Sequence, residues 1–370
     1  MCTKKLGGIK HLLRIKTIFA FQKSTNYVKH DRNMKKLTTW LLGVASLCAL
    51  ATTAQENPKV DLRIEARGDL QNELIDGNVV DANTGFRGKQ LNLRLNGNIN
   101  DSWSYVYRQR MGKPNADASY FDAVDHLNLT YTTGAWAFTG GKQTVAVGGY
   151  EYDRAPIDFY FGSEYWYNMA CYQWGVGATY TIGNEGKDAL KLQITQSPFR
   201  NVSPEMFSYN LMWSGSHGWI DILHSVNMVE YLPGKFVNFI ALGHQFNMGD
   251  FKLQLDWMNR ADMANFDFYD FSVMADLSWS ASDKINVFGK FSYDVNETNA
   301  ADYCVLPGTE LTRVGAGVEF FPIKDSRDIR FHGGYSYAWG TNGNLAGGTV
   351  FDAQSFLTLG VTWKMSILKR

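Results

Sequence analysis

The chain has 370 residues, with 14% aromatic side chains, 35 glycines and only 8 prolines, so it is neither disordered nor collagen-like. Its 36 basic and 36 acidic residues balance, but ten of the basic and one of the acidic groups fall in the first 54 positions, leaving 26 basic and 35 acidic groups in 55–370. An acidic remainder argues against nucleic acid as a partner.

The first recognisable element is a leader. Met34, Lys35 and Lys36 give a positive start, Leu37 to Leu50 is an apolar stretch of signal-peptide length, and Thr52, Thr53 and Ala54 supply small residues for cleavage. The expected organisation is a non-native upstream extension over 1–33, a signal peptide over 34–54 and an outer-membrane β-barrel over 55–370. A membrane anchor would need about 20 apolar residues, and the chain turns polar from Thr52. Leu47 before Cys48 stands where lipidation needs a small residue.

Beyond the leader, period-two alternation recurs. Phe251, Leu253, Leu255 and Trp257 oppose Lys252, Gln254 and Asp256, and Phe271, Val273, Ala275, Leu277 and Trp279 oppose Ser272, Asp276 and Ser278. Such runs predict strands near 59–70, 87–99, 102–111, 122–132, 136–147, 172–182, 189–197 and 206–214. Eight more follow near 218–229, 235–247, 251–260, 270–280, 284–295, 311–321, 328–339 and 354–366. The runs at 136–147 and 235–247 alternate less cleanly. Short connections such as Asn100-Asp101 and Gly215 to His217 mostly interleave with longer ones, the longest being Gly148 to Cys171. An even strand number, short turns at one rim and long loops at the other predict a transmembrane antiparallel barrel of sixteen strands. A β-sandwich or propeller would not demand that alternation of loop length. Trp103, Tyr131, Trp136, Trp213, Trp257, Trp279, Trp339 and Trp363 near strand ends fit interfacial girdles, since an indole is apolar in body and polar at its N–H.

A barrel of this size leaves room for a wet lumen. Strand parity points ten basic and eight acidic side chains inward, and five of the arginines, Arg63, Arg67, Arg94, Arg108 and Arg110, crowd onto the first three strands. Clustered fixed cations raise the local concentration of a passing anion; the competing reading is structural bridges to Asp61, Glu65 and loop acids. The segment Gly148 to Cys171, with Tyr150, Glu151, Tyr152, Asp153, Arg154, Asp158 and Tyr160, is too long and aromatic for a simple surface loop. It is expected to fold inward and narrow the pore, with Asp153 and Asp158 facing the arginines; the alternative is an outward loop against a neighbouring subunit.

Cys171 and Cys304 are the two cysteines left after the leader and read as unpaired thiols. No Cys or His spacing resembles a zinc site, and no nucleophile elbow or phosphate loop is present, so neither metal, cofactor nor enzymatic activity is expected.

The run Gly85-Phe86-Arg87-Gly88 with Leu91, Asn92 and Leu93, then Trp103-Ser104-Tyr105 with Arg108-Gln109-Arg110, resembles the phosphate-selective porin O and P family. Gly140-Gly141-Lys142-Gln143 and Gly148-Gly149-Tyr150-Glu151-Tyr152-Asp153 look like its fifth strand and third loop, especially in its Bacteroidota branch. The resemblance implies homotrimeric, sixteen-stranded porins of the bacterial outer membrane, in contact with its lipid, with a constricting third loop and an arginine ladder beside a lysine cluster. Arg94, Arg108 and Arg110 match the ladder, and Lys142 is the nearest match for the pore lysine. Two departures are a third loop with more acid than base and an end in Leu368-Lys369-Arg370 where the family has a terminal aromatic. The reading is a porin for small hydrophilic solutes, with a preference for anions such as phosphate; alternatives are a plugged structural or ligand-binding barrel and, remotely, a barrel hydrolase.

Overall fold

The computed structural model describes residues 60–112, 120–183, 187–199, 205–262, 269–343 and 353–370. The extension at 1–33 and the signal peptide at 34–54 lie outside the described residues. The chain divides into two compact units, 59–113 with 123–370 and 1–58 with 114–122. Of the second, only the start of a single 3-10 turn, Tyr120–Ala123, is described.

The larger unit is one antiparallel sheet closed on itself. Its long strands are β1 (Val60–Ile75), β2 (Gly85–Asn98), β3 (Trp103–Arg110), β4 (Val124–Thr133), β5 (Trp136–Thr144), β6 (Tyr172–Ile182), β7 (Asp188–Gln196) and β8 (Phe207–Ser216). They continue as β9 (Ile220–Leu232), β10 (Lys235–Met248), β11 (Phe251–Asp262), β12 (Phe271–Ser282), β13 (Ile285–Asn296), β14 (Thr309–Phe320), β15 (Ile329–Thr341) and β16 (Ala353–Lys369). A two-residue strand, Asn78–Val79, folds back on the end of β1. Each long strand pairs with its sequence neighbours, and β16 closes on β1 in a register running from Asp61 opposite Lys369 to Ile75 opposite Gln354. Closure gives every strand two partners, which a membrane demands because no water is present there to satisfy an open edge. The sixteen expected strands correspond one to one with these.

The expected difference between the rims holds with two exceptions. Turns after β2, β4, β6, β8, β10 and β12 are short and most opposite connections are longer, but the connection after β14 (321–328) is as long as that between β11 and β12 (263–270), and β9 and β10 are joined by Pro233-Gly234, with Gly234 at φ +72°. The alternation places Leu190, Leu192 and Ile194 or Tyr209, Leu211 and Trp213 on the exposed outer face. Intervening polar residues such as Gln193, Asn210 and Asn227 are buried inside. Ring pairs band the short-turn rim, among them Trp103–Tyr131 (4.9 Å), Trp136–Tyr180 (4.8 Å) and Phe251–Trp279 (5.8 Å). A second band, with Tyr209–Phe236 and Tyr337–Trp339, lies toward the long loops. No described helix is long and apolar enough to cross a membrane; the strands do so.

Candidate solute pathway

The third outer loop, residues 145–171 (L3), enters the barrel between β5 and β6. It holds one helical turn, α1 (Tyr150–Asp153), a 3-10 turn at Pro156–Asp158 and a second short helix, α2 (Glu164–Asn168), whose first turn is capped by the Ser163 hydroxyl accepting from Trp166 N–H. The Asp256 carboxylate on β11 accepts the backbone N–H groups of Tyr150 (2.8 Å) and Glu151 (2.7 Å). Glu151 pairs with Lys290 of β13 (2.7 Å), and Arg154 binds Asp276 (2.8 Å) and Gln254 (2.7 Å). Farther along, Arg67 of β1 donates to Phe159 C=O (2.6 Å), Asp158 pairs with Arg330 of β15 (2.7 Å), Tyr160 donates to Glu319 (2.7 Å), and Glu164 pairs with Arg313 of β14 (3.2 Å). Two wall glycines make room for the crossing. A Cβ on Gly243 would stand 2.8 Å from the Gly149 Cα, and one on Gly315 would stand 2.3 Å from the Phe161 ring.

An apolar cluster inside the barrel locks one end of L3. Val145, Val147, Tyr152, Tyr165 and Met169 pack on Val229, Val237, Phe239, Ala241 and Met258 of β9–β11 and on Ala301, Cys304 and Val305 from the loop before β14. That loop is held by the fully buried pair of Arg260 and Asp302. Cys171 and Cys304 are both free thiols. Strand parity alone could not anticipate apolar inward residues, but the blurred alternation of 136–147 and 235–247 was their signal: the end of one run enters L3, and β10 is covered by lipid outside and by L3 inside.

The five crowded arginines occupy one stretch of wall, but four kinds of partner hold them: carboxylates, a backbone carbonyl, a tyrosine hydroxyl and a side-chain amide. Arg63 pairs with Asp61, and Arg67 with the fully buried Asp69 (2.6 Å) as well as the L3 carbonyl. Arg94 lies directly opposite Arg108 in the β2–β3 ladder, and Arg110 two pairs further on, opposite Asn92. Arg108 (3.0 Å) and Arg110 (2.7 Å) share the Asp125 carboxylate, and the Tyr172 hydroxyl also contacts Arg108. Asp125 escaped the parity reading because the β3–β4 register shifts between Arg108 and Gln109, which lets Asp125 as well as His126 face the arginines. Among the described residues Arg94 bonds to Asn96 and makes no ion pair. Lys364 of β16, 3.8 Å from Asp158, adds a cation that the alternation of Leu359, Val361, Trp363 and Met365 would have revealed.

Two expectations need correction. Lys142 stands opposite Leu127 and Trp174 in the ladders, in the row that alternates with the lumen-facing one, and is buried; it is not part of the arginine wall. The loop acids do not face Arg94, Arg108 and Arg110: Asp158 reaches Arg330 and Lys364, and Asp153 faces Lys191 of β7. Burial pushes the Asp153 carboxyl above its usual range against the opposing pull of Lys191.

Exposure marks where water remains. The side chains of Arg63, Arg110 and Lys364 keep 34%, 26% and 30% of their surface, whereas Lys290 and Arg313 beneath L3 keep 5% and 7%. L3 covers the inner face at Lys290 and Arg313, whereas Arg67 and Arg108 on the basic wall are buried by their own partners and Arg63, Arg110 and Lys364 stay partly exposed.

Residues 59–217, covering β1–β8, match the model of the family described as phosphate-selective porin O and P. A comparison with curated proteins finds no match. Among solved structures, OmpT of Vibrio cholerae lacking loop L8 is 15% identical, covering 84% of this chain and 100% of its own, with a TM-score of 0.59. The in-vitro folded OmpT in its trimer form is 14% identical over 84% of this chain and 100% of its own, at 0.58. The outer membrane channel DcaP of Acinetobacter baumannii is 13% identical over 84% of this chain and 99% of its own, at 0.59. At such identities these structures establish the fold, that of a bacterial outer-membrane porin barrel, and residues 59–217, its first half, resemble the phosphate-selective porin O and P family.

Proposed function

We propose that this porin passes small hydrophilic solutes by diffusion along the lane between L3 and the wall of β1–β7 and β16, with a modest preference for anions. The observation that carries this reading is asymmetry: most anchors of L3 come from β9–β15, with fewer from Arg67 of β1, Gln193 of β7 and Lys364 of β16, and Arg63, Arg94 and Arg110 lie on the less heavily anchored wall. The preference is modest because Asp61, Asp125 and Asp158 offset part of that charge, and because unit charges 4 Å apart in water interact by only about 1 kcal/mol. Phosphate is a reasonable anion to test, given the family. Homotrimers fit the trimer form of OmpT, and a leader ending at Ala54 would deliver the chain to the periplasm.

The buried apolar cluster under L3 favours a second reading, a barrel plugged by its loop. Reconstitution into planar bilayers separates the two. Steady ohmic steps with a reversal potential on the anion side of a KCl gradient support the porin; a silent barrel with heat-resistant mobility supports the plug.

A further inference from the structure

Ionisable side chains on the lipid-facing wall of a barrel are costly and call for a partner. Two histidines occupy such positions together. His224 of β9 stands opposite Trp213 and Leu242, and His244 of β10 stands opposite Ile222 and Leu255, all in the outward row. They are diagonal neighbours across the β9–β10 ladder, within reach for long side chains. Trp213 packs edge-on to His224 at 5.7 Å, and Phe246 stacks beside His244 at 6.4 Å, which puts the pair in the aromatic girdle at the short-turn rim, where lipid gives way to water.

The rings point their tips at each other, with Nε2 to Nε2 at 3.2 Å and ring planes inclined by 66°. With nothing between them, one imidazole donates its Nε2–H and the other accepts. The same separation suits a bridging metal ion, because two nitrogens at ~2.0–2.1 Å from a tetrahedral centre stand roughly 3.3 Å apart. We propose that His224 and His244 form a two-point site for a divalent transition-metal ion on the outer wall of the barrel. Both rings then present the Nε2 lone pair and carry their proton on Nδ1, so a neutral pair binds without net proton release. Water at the girdle fills the remaining positions. No third His, Cys, Asp or Glu gathers with them among the described residues, which makes the site open and of moderate affinity. The twenty-residue spacing hides it in the sequence, since only the hairpin register brings the two together.

The test is titration of the untagged full chain in detergent with Cu²⁺, the strongest divalent binder of such ligands, read by calorimetry and by electron paramagnetic resonance. The expected result is a saturable site whose spectrum carries two imidazole nitrogens. His224→Gln and His244→Gln should each weaken binding about ten-fold or more, a loss of ~1.4 kcal/mol, while His217→Gln on the adjoining turn leaves it intact. A one-nitrogen spectrum in the unaltered protein overturns the proposal, as does undiminished binding in His224→Gln with the barrel's heat-resistant mobility retained. Because the spectrum is taken on the unaltered protein, a variant that fails to fold does not protect the idea.

Discussion

Single side chains decide how much of the basic wall is free to act on a solute. Arg94 makes no ion pair among the described residues, whereas Arg108 and Arg110 are tied to Asp125. Arg94→Ala should therefore lower the anion-to-cation permeability ratio more than Arg108→Ala, by up to about five-fold for an interaction of ~1 kcal/mol. Asp125→Asn should raise the ratio by releasing two guanidinium groups; both changes are read as the zero-current potential in a salt gradient. Asp153 offers a pH handle. Because burial raises its carboxyl, its charge is lost at a higher pH than that of an ordinary aspartate, leaving Lys191 unopposed. Anion preference should strengthen as pH falls below neutrality, beginning above the range where an ordinary aspartate titrates, and Asp153→Asn should remove that part of the pH dependence. The sequence made the crowding of Arg63, Arg67, Arg94, Arg108 and Arg110 legible, but not their partners. Asp125 is turned inward by a register shift, and no alternation pattern reports a bulge before the partner strand is known.

At the scale of elements, L3 is a loop held by the barrel instead of by itself. Its turns are short, and its anchors come mostly from β9–β15, such as Ser225, Asp256, Asp276, Lys290, Asp294, Arg313, Glu319 and Arg330, with Arg67 of β1, Gln193 of β7 and Lys364 of β16 beside them. The ladders of β1–β16 do not depend on it, so replacing residues 150–168 with a short Gly-Ser linker should raise single-channel conductance while heat-resistant mobility persists. Gly315→Val should work in the same direction, because the new side chain occupies the seat of the Phe161 ring. The anchoring of the neighbouring loop is a stability matter. Arg260→Ala leaves Asp302 buried without its partner and should cost about 3–5 kcal/mol, seen as a lower temperature for loss of the heat-resistant band. Strand count was readable because lipid outside and water inside impose a period of two. The reading blurred at 136–147, whose apolar end is the start of L3, and at 235–247, where L3 covers the inner face and apolar residues occupy both sides.

For the whole molecule, closure of β16 on β1 makes the barrel, and the seating of L3 mainly on β9–β15 motivates the proposed basic lane. Topology and the inward loop could be read from alternation and loop lengths. Which side of the lumen the loop would close could not, because that depends on contacts between residues a hundred or more positions apart, such as Arg154 with Asp276 and Asp158 with Arg330. The most direct measurement is the current through the purified protein in a planar bilayer under a KCl gradient, repeated after Arg63, Arg94 and Arg110 are replaced together by Ala. The account predicts steady single-channel steps with an anion-side reversal potential that moves toward the cation side in the triple variant. A silent barrel, or an open one whose reversal potential does not move, would contradict it.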